Sequence, residues 1–309
     1  MSLDLSQPQH WHGLWTALVT PLREEQGRLR IDEKSLTTLI EKQLAAGSLT
    51  GLVIAGSTGE GSLLSEDNFR VLLKTAHGIV AGRVPLVAGV GIGGSESALR
   101  NAETIASLGY QGLLASPPAY IKAPQRGLVK HFSQLAQVGL PVCLYEIAGR
   151  AASSIQLETI SDLLSDSRNS KIVAMKDASA DIPRQLKSSE LFGERLALLS
   201  GDDFTFAPFL CSGGHGVISV ATHVIPRRMK RIWDLVLANK LHEAVREQNL
   251  VRPLVEALFW ESNPIPVKAL VKDLGWIEND VLSAPMESME KSKRTKLLLL
   301  FKELGDLSA

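Results

Sequence analysis

Eight short apolar runs rich in strand-forming residues recur along the chain, at 14–19, 51–55, 85–90, 112–115, 141–145, 172–175, 196–199 and 216–220. Helical patterning fills the intervals. Residues 35–44 carry Leu36, Leu39, Ile40 and Leu44 at helical spacing, and Ser65-Glu66-Asp67 reads as an N-cap followed by first-turn acids. Eight βα units in succession are the pattern of an α/β fold of the (β/α)8 TIM-barrel type. Length alone suggests two domains for 309 residues, unless the fold is such a barrel. After the eighth run the strand signal stops. Residues 226–307 read as helices, broken at Asn263-Pro264-Ile265-Pro266 and near Ala284-Pro285. The expected organisation is a barrel over 1–225 with a C-terminal helical extension over 226–309, packed on the barrel and not an independent domain. No internal repeat beyond the βα alternation and no low-complexity linker is present.

The 33 basic and 33 acidic residues cancel, so no overall field draws the protein to nucleic acid or to an anionic membrane surface. Small-molecule ligands are expected instead. The basic cluster Lys291-Ser292-Lys293-Arg294-Thr295-Lys296 follows Glu287 and Glu290 and precedes an apolar run, which fits the solvated face of a helix. Cys143 and Cys211 sit in apolar settings far apart and read as buried thiols of a reducing compartment. Residues 1–12 lack a basic region followed by an apolar stretch, and no run approaches the roughly 20 apolar residues of a membrane helix. A soluble, cytoplasmic protein is expected. His10 and His12 flank Trp11, and no other histidine or cysteine has metal-ligand spacing, so no metal is expected.

In a barrel of this type the reacting groups stand at the carboxyl ends of the strands, on one face. Those ends carry Gly56-Ser57-Thr58-Gly59-Glu60-Gly61, Ser116-Pro117-Pro118-Ala119-Tyr120, Tyr145-Glu146, Lys176-Asp177 and Ser200-Gly201-Asp202-Asp203. Hydroxyls, phenols and one amine therefore converge. Lys176 ends the sixth run, and a lysine buried there can serve as a Schiff-base nucleophile when its surroundings hold the amine neutral. An unperturbed lysine of pKa about 10.4 is neutral in only roughly four molecules per ten thousand at pH 7.

These residues resemble the dihydrodipicolinate synthase and N-acetylneuraminate lyase superfamily of pyruvate-dependent class I aldolases. The resemblance spans nearly the whole chain, through Gly-Ser-Thr-Gly-Glu at 56–60, Lys176, Gly201-Asp202-Asp203, the glycine-rich stretch 213–220, and Glu-Ser-Asn-Pro-Ile-Pro-Val-Lys at 261–268. The last two are most similar to the branch that condenses pyruvate with aspartate 4-semialdehyde on the route to lysine. The resemblance implies that Lys176 forms an imine with pyruvate, which loses a proton to become an enamine. The iminium is the electron sink, so no metal or other cofactor is implied. Tyr145 corresponds to the tyrosine that moves protons beside the imine, and Ser57 to the hydroxyl linking it to a second tyrosine, Tyr120. In similar enzymes that second tyrosine enters from a neighbouring subunit, which implies a homo-oligomer, either a dimer or a dimer of dimers. Thr58 and nearby backbone N–H groups correspond to the pyruvate carboxylate site, Ile218 to the pocket wall, and Arg150 to the clamp for the second substrate's carboxylate.

The chain departs from this pattern in two places. Tyr145-Glu146-Ile147-Ala148-Gly149-Arg150-Ala151-Ala152 stands where the usual order is Tyr-Asn-Val-Pro-x-Arg-Thr-Gly. Glu146 is thus expected to pair with Arg150 and compete with substrate, lowering turnover with aspartate semialdehyde. Phe69, Gly93, Ser97 and Ala119 occupy positions that elsewhere hold feedback-inhibiting lysine through a histidine, an asparagine, a glutamate and a tyrosine, so insensitivity to lysine is expected.

Rival readings concern other ligands. Gly89-Val90-Gly91-Ile92-Gly93-Gly94 fits a dinucleotide fingerprint after a strand, but 109–118 lacks the acid that reading requires. Gly213-Gly214-His215-Gly216 resembles a barrel phosphate loop, a role that a carboxylate substrate does not need. A pyruvate aldolase acting on a sugar acid or another aldehyde, and a non-catalytic keto-acid sensor, are the remaining alternatives.

Overall fold

The computed structural model describes residues 4–304 except residue 92. Residues 305–307 of the expected helical tract, 308–309 of the extension, and Ile92 of the glycine-rich stretch lie outside the described residues. The strands are β1 (Gly13–Ala17), β2 (Leu22–Glu25), β3 (Arg28–Ile31), β4 (Gly51–Ile54), β5 (Leu86–Val90), β6 (Gly112–Ala115), β7 (Val142–Glu146), β8 (Ile172–Asp177), β9 (Ala197–Ser200) and β10 (Gly216–Ser219). The helices are α1 (Glu33–Ala45), α2 (Glu66–Val80), α3 (Ser95–Ser107), α4 (Gln125–Ala136), α5 (Ala148–Ala151), α6 (Leu157–Ser165), α7 (Ile182–Phe192), α8 (Phe206–Cys211), α9 (Pro226–Leu237), α10 (Leu241–Ala257), α11 (Ile265–Asp273) and α12 (Lys291–Leu304).

Eight parallel strands close a barrel in the order β1-β10-β9-β8-β7-β6-β5-β4, with β4 returning to β1. Each of the eight apolar runs is a barrel strand, shifted by two residues at most at either end. Strand alternation divides their side chains between two cores. Trp15, Val53, Val87, Leu114, Cys143, Ala174, Leu199 and Ile218 fill the lumen. Leu14, Leu52, Leu86, Leu113, Leu144, Met175, Leu198 and Val217 pack outward in the core that the helices share. Both faces are apolar, which is why these strands read as unbroken runs. At the amino end of the lumen Trp11 stacks on Trp15 at 5.3 Å, with the two indole N–H groups donating to Leu5 O and Trp11 O.

Local chemistry sets the helix starts. Asp32 Oδ1 accepts the Ser35 N–H (3.1 Å), so α1 begins two residues before the apolar spacing does. Ser65 Oγ accepts from Asn68 N–H (3.2 Å) at the start of α2, as its N-cap pattern suggests.

The last four helices share the outer core of the barrel: Val251, Leu254, Leu258, Val267, Leu270 and Leu297 belong to the same buried cluster as the outward strand residues. α9 packs on β1 and α8, α10 on α9, α8 and α12, and α11 on α12. The basic cluster at 291–296 opens α12, where Arg294 bridges Asp273 (2.6 Å) and Asp280 (2.7 Å), and Lys293 reaches Glu261 (3.4 Å). One expectation is corrected: Cys143 is buried, but Cys211 is exposed. It ends α8 on the side away from Phe209 and Leu210, which take the core positions. Among the described residues no helix is long and apolar enough to cross a membrane.

Candidate active site

At the carboxyl ends of the barrel strands a cavity of about 540 Å³ opens. Ser57, Thr58, Tyr145, Arg150, Lys176 and Ile218 all line it, together with Gly201, Asp202, Phe259, Trp260 and Asn263. Six of the seven candidate residues therefore meet in one chain. Tyr120 does not. It stands on the loop after β6 with φ +72° and is 93% exposed.

Lys176 and Tyr145 are direct neighbours across the β7–β8 ladder, so strand alternation aims both into the lumen. Lys176 is buried, and its Nζ lies 4.3 Å from the Tyr145 ring centroid. The path of its side chain depends on Gly201: a Cβ there would lie 2.9 Å from Lys176 Cε and 2.6 Å from Ala178 Cβ. Glycine is the residue for so close an approach. Beneath the lysine, burial pushes the Cys143 thiol up to about 12, which keeps it protonated and unreactive.

The turn after β4 brings Ser57 and Thr58 to the cavity. Buried Thr58 accepts a hydrogen bond from Asn263 Nδ2 at Oγ1 (2.9 Å). Two residues on, Glu60 turns inward with φ +56°, and its Oε1 meets Lys268 Nζ of α11 at 2.6 Å. Glu60 Oε2 takes the Ser283 N–H (2.7 Å). Burial pulls the Lys268 ammonium below its ordinary value, against the opposing pull of Glu60. Asn263 also joins the second candidate group, because Arg150 Nη2 donates to its backbone carbonyl (2.8 Å).

On β10, Ile218 forms part of the wall. Asp203 holds the chain that follows, accepting the N–H groups of Val220 and Ala221 at 2.9 Å each. Burial raises the Asp203 carboxyl, and those hydrogen bonds oppose the shift.

The expected pairing of Glu146 with Arg150 is not formed. Glu146 and Asp177 are paired across the ladder one residue beyond Tyr145 and Lys176, so both face away from the lumen. There Glu146 accepts from Ala148 N–H (3.0 Å), Ile155 N–H and Ser154 Oγ (3.2 Å). Arg184 of α7 pairs with Asp177 (2.9 Å) and lies 3.9 Å from Glu146. Burial raises the Glu146 carboxyl, opposed by the Ile155 N–H and by Arg184.

Several contributors escaped the sequence reading. Glu60 and Lys268 lie inside the two motifs; Lys268 is a charge among apolar neighbours, which is a signal, whereas Glu60 stands among glycines and hydroxyl residues and has none of that kind. Arg184, Phe259 and Trp260 carried none.

The rival loops have structural explanations. Gly89 packs against β4 so closely that a Cβ would lie 2.5 Å from Ala55 O, and at Gly91 (φ +111°) one would lie 2.1 Å from Ser116 O. These glycines fit strand to strand in a closed barrel. Gly213-Gly214-His215-Gly216 leads into the first residue of β10 and so lies at the end of the barrel opposite the cavity.

Comparison with known proteins gives the same arrangement a wider setting. The model of the dihydrodipicolinate synthetase family matches residues 10–304. The 4-hydroxy-tetrahydrodipicolinate synthase of Magnetococcus marinus is 36% identical over 286 residues, covering 92% of this chain and 95% of that protein. A monomeric dihydrodipicolinate synthase variant superposes with a TM-score of 0.90 at 31% identity, covering 98% of this chain and 99% of its own. The chloride-inhibited dihydrodipicolinate synthase of Acinetobacter baumannii, complexed with pyruvate, gives 0.88 at 30% identity, with 96% and 99% covered. With a match that runs from residue 10 to residue 304 and takes in every barrel strand, this chain belongs to the dihydrodipicolinate synthetase family.

Proposed function

We propose that this protein is a 4-hydroxy-tetrahydrodipicolinate synthase, condensing pyruvate with aspartate 4-semialdehyde through an imine on Lys176. The observation that carries the reading is the placement of Lys176. Its amine is buried at the cavity floor beside the Tyr145 ring, with Thr58 and Arg150 lining the same space. Lys176 attacks the keto carbon of pyruvate, and loss of water from the carbinolamine leaves an iminium. Removal of a methyl proton gives the enamine, whose carbon attacks the aldehyde while the aldehyde oxygen takes up a proton. The substrate's own amine then displaces Lys176 and closes the ring. Tyr145 is the proton carrier in these steps, and Ser57 relays to it. Thr58 holds the pyruvate carboxylate, Ile218 bounds the methyl side, and Arg150 takes the carboxylate of the semialdehyde.

Tyr120 completes the relay from a neighbouring copy, and its outward stance on an exposed loop supports a homo-oligomer, a dimer or a dimer of dimers. Residues 226–309 serve as an extension of the barrel, sharing its outer core where they are described. A cytoplasmic setting fits a pathway of small soluble metabolites.

Borohydride trapping tests the reading. Reduction in the presence of pyruvate leaves a stable adduct on Lys176, found by peptide mass spectrometry and lost in Lys176→Ala. Absence of an adduct, under conditions that label a known pyruvate aldolase, rules the imine mechanism out.

A further inference from the structure

The segment 147–155 carries Arg150 but lacks the residues that would make it rigid on its own. Ala152 adopts φ +56°, a left-handed conformation that costs an alanine more than a glycine. Its N–H donates to Ala148 O (2.8 Å), so the short helix α5 closes on that strained cap at one end and on Ile147 O, which takes the Arg150 and Ala151 N–H groups (2.9 Å each), at the other. Contacts from outside the segment add to these, Gln125 Nε2 donating to Ser154 O (2.8 Å) among them.

Glu146 is placed to hold the segment. It is 1% exposed, and its carboxylate takes N–H groups from both ends of the segment, Ala148 and Ile155, together with the Ser154 hydroxyl. The far end is gripped a second time, because Arg184 Nη2 donates to Ile155 O (2.6 Å) while its Nε holds Asp177 Oδ2 (2.9 Å). The charged groups facing Glu146 are therefore Asp177 of β8 and Arg184 of α7. An ionised carboxylate can accept all three hydrogen bonds at once; a neutral amide has only one oxygen with which to accept.

We propose that Glu146 is the positioning residue for Arg150, closing the 147–155 segment so that the guanidinium stays at the cavity for the second substrate's carboxylate. The inference rests on the functional reading above for the role of Arg150. Glu146 touches neither substrate. It acts by fixing the segment, and its own side chain faces away from the lumen. Imine formation at Lys176 is independent of the clamp, because Tyr145 and Lys176 are set by the β7–β8 ladder itself.

The test compares wild type, Glu146→Gln and Glu146→Ala in three measurements: amide hydrogen exchange across 147–155, pyruvate trapping on Lys176, and KM for each substrate. In Glu146→Ala the amides of Ala148 and Ile155 exchange faster, and KM for aspartate semialdehyde rises about tenfold or more, the scale of a lost charge-assisted hydrogen bond. KM for pyruvate and the trapping rate stay within about twofold, since an interaction with the second substrate alone is removed. Glu146→Gln falls between. Equal effects on both KM values, or unchanged exchange at 148 and 155, overturn the proposal. If wild type forms no adduct, the functional reading fails instead, and the exchange rates alone decide whether Glu146 is the clamp.

Discussion

Lys268 Nζ and Glu60 Oε1 stand 2.6 Å apart with both side chains fully sealed from solvent, joining the turn after β4 to helix α11. Such a pair gains little over an apolar replacement of the same shape, but removing one member strands the other charge. Lys268→Met is expected to lower unfolding free energy by about 3–5 kcal/mol. Combining it with Glu60→Gln should recover part of that loss. Urea denaturation of the two single variants and the double variant checks this, and additive losses would contradict the coupling.

The lumen at Lys176 is kept open by the absence of a side chain at 201. In Gly201→Ala the new methyl would press on Lys176 Cε and Ala178 Cβ, at 2.9 and 2.6 Å. The lysine must move. Pyruvate trapping should slow by about tenfold or more while the circular dichroism spectrum is unchanged, because a small misplacement of a reacting group is enough to cost that much. Trapping at the wild-type rate would show that the lysine has another path.

Acid should weaken the fold through His223. Its Nε2 accepts the Val19 N–H (3.1 Å), and its Nδ1 faces Val220 O (2.8 Å), which assigns the neutral ring with its proton on Nδ1. Burial lowers its pKa from 6.5 to about 4. The folded state then binds fewer protons than the unfolded one across that interval. The stability this provides is complete above pH 6.5 and lost as pH falls toward 4, by about 3 kcal/mol. Glu146, raised by burial, acts with the opposite sign, so the histidine share is read from the difference between wild type and His223→Asn. Urea midpoints at pH 7.5 and 4.5 should fall less in the variant.

A second cavity of about 310 Å³ lies behind Tyr145, bordered by Phe69, Gly93, Ser97, Asn101 and Ser116. Among the described residues that line it, none is charged. An amino acid would have to leave its ammonium and carboxylate without counter-charges there, at considerable desolvation cost. Millimolar lysine is expected to leave the rate unchanged. A hyperbolic fall in activity with added lysine would refute this.

The barrel was legible because its strands are buried on both faces, and an apolar run cannot hide. The β2–β3 hairpin was not. Its residues Arg23, Glu24, Glu25 and Arg28 are exposed; Leu22 and Ile31 at its base are buried in the core, and Leu29 packs on it half-buried. Lys176, Tyr145 and Thr58 could be placed from the strand ends alone. Glu146 was misread because closeness in sequence to Arg150 was taken for closeness in space. Alternation along β7 sends neighbouring residues to opposite faces, and that rule was available. Its true partners could not be inferred, since Arg184 reaches Glu146 and Asp177 only after α7 packs over the strands.

The partners that fix the turn after β4 are 208 residues apart along the chain for Lys268 and Glu60, and 205 for Asn263 and Thr58. Contacts of such long range form late, because a large loop must close before they contribute anything. A nascent chain with all eight strands already synthesised would lack both of these anchors, its hydroxyl-bearing turn held by Thr20 Oγ1 at Gly59 O (2.6 Å) and by its own main-chain hydrogen bonds. The last two anchors of the catalytic turn are thus supplied by the final quarter of the polypeptide, which links completion of the site to docking of the C-terminal helices.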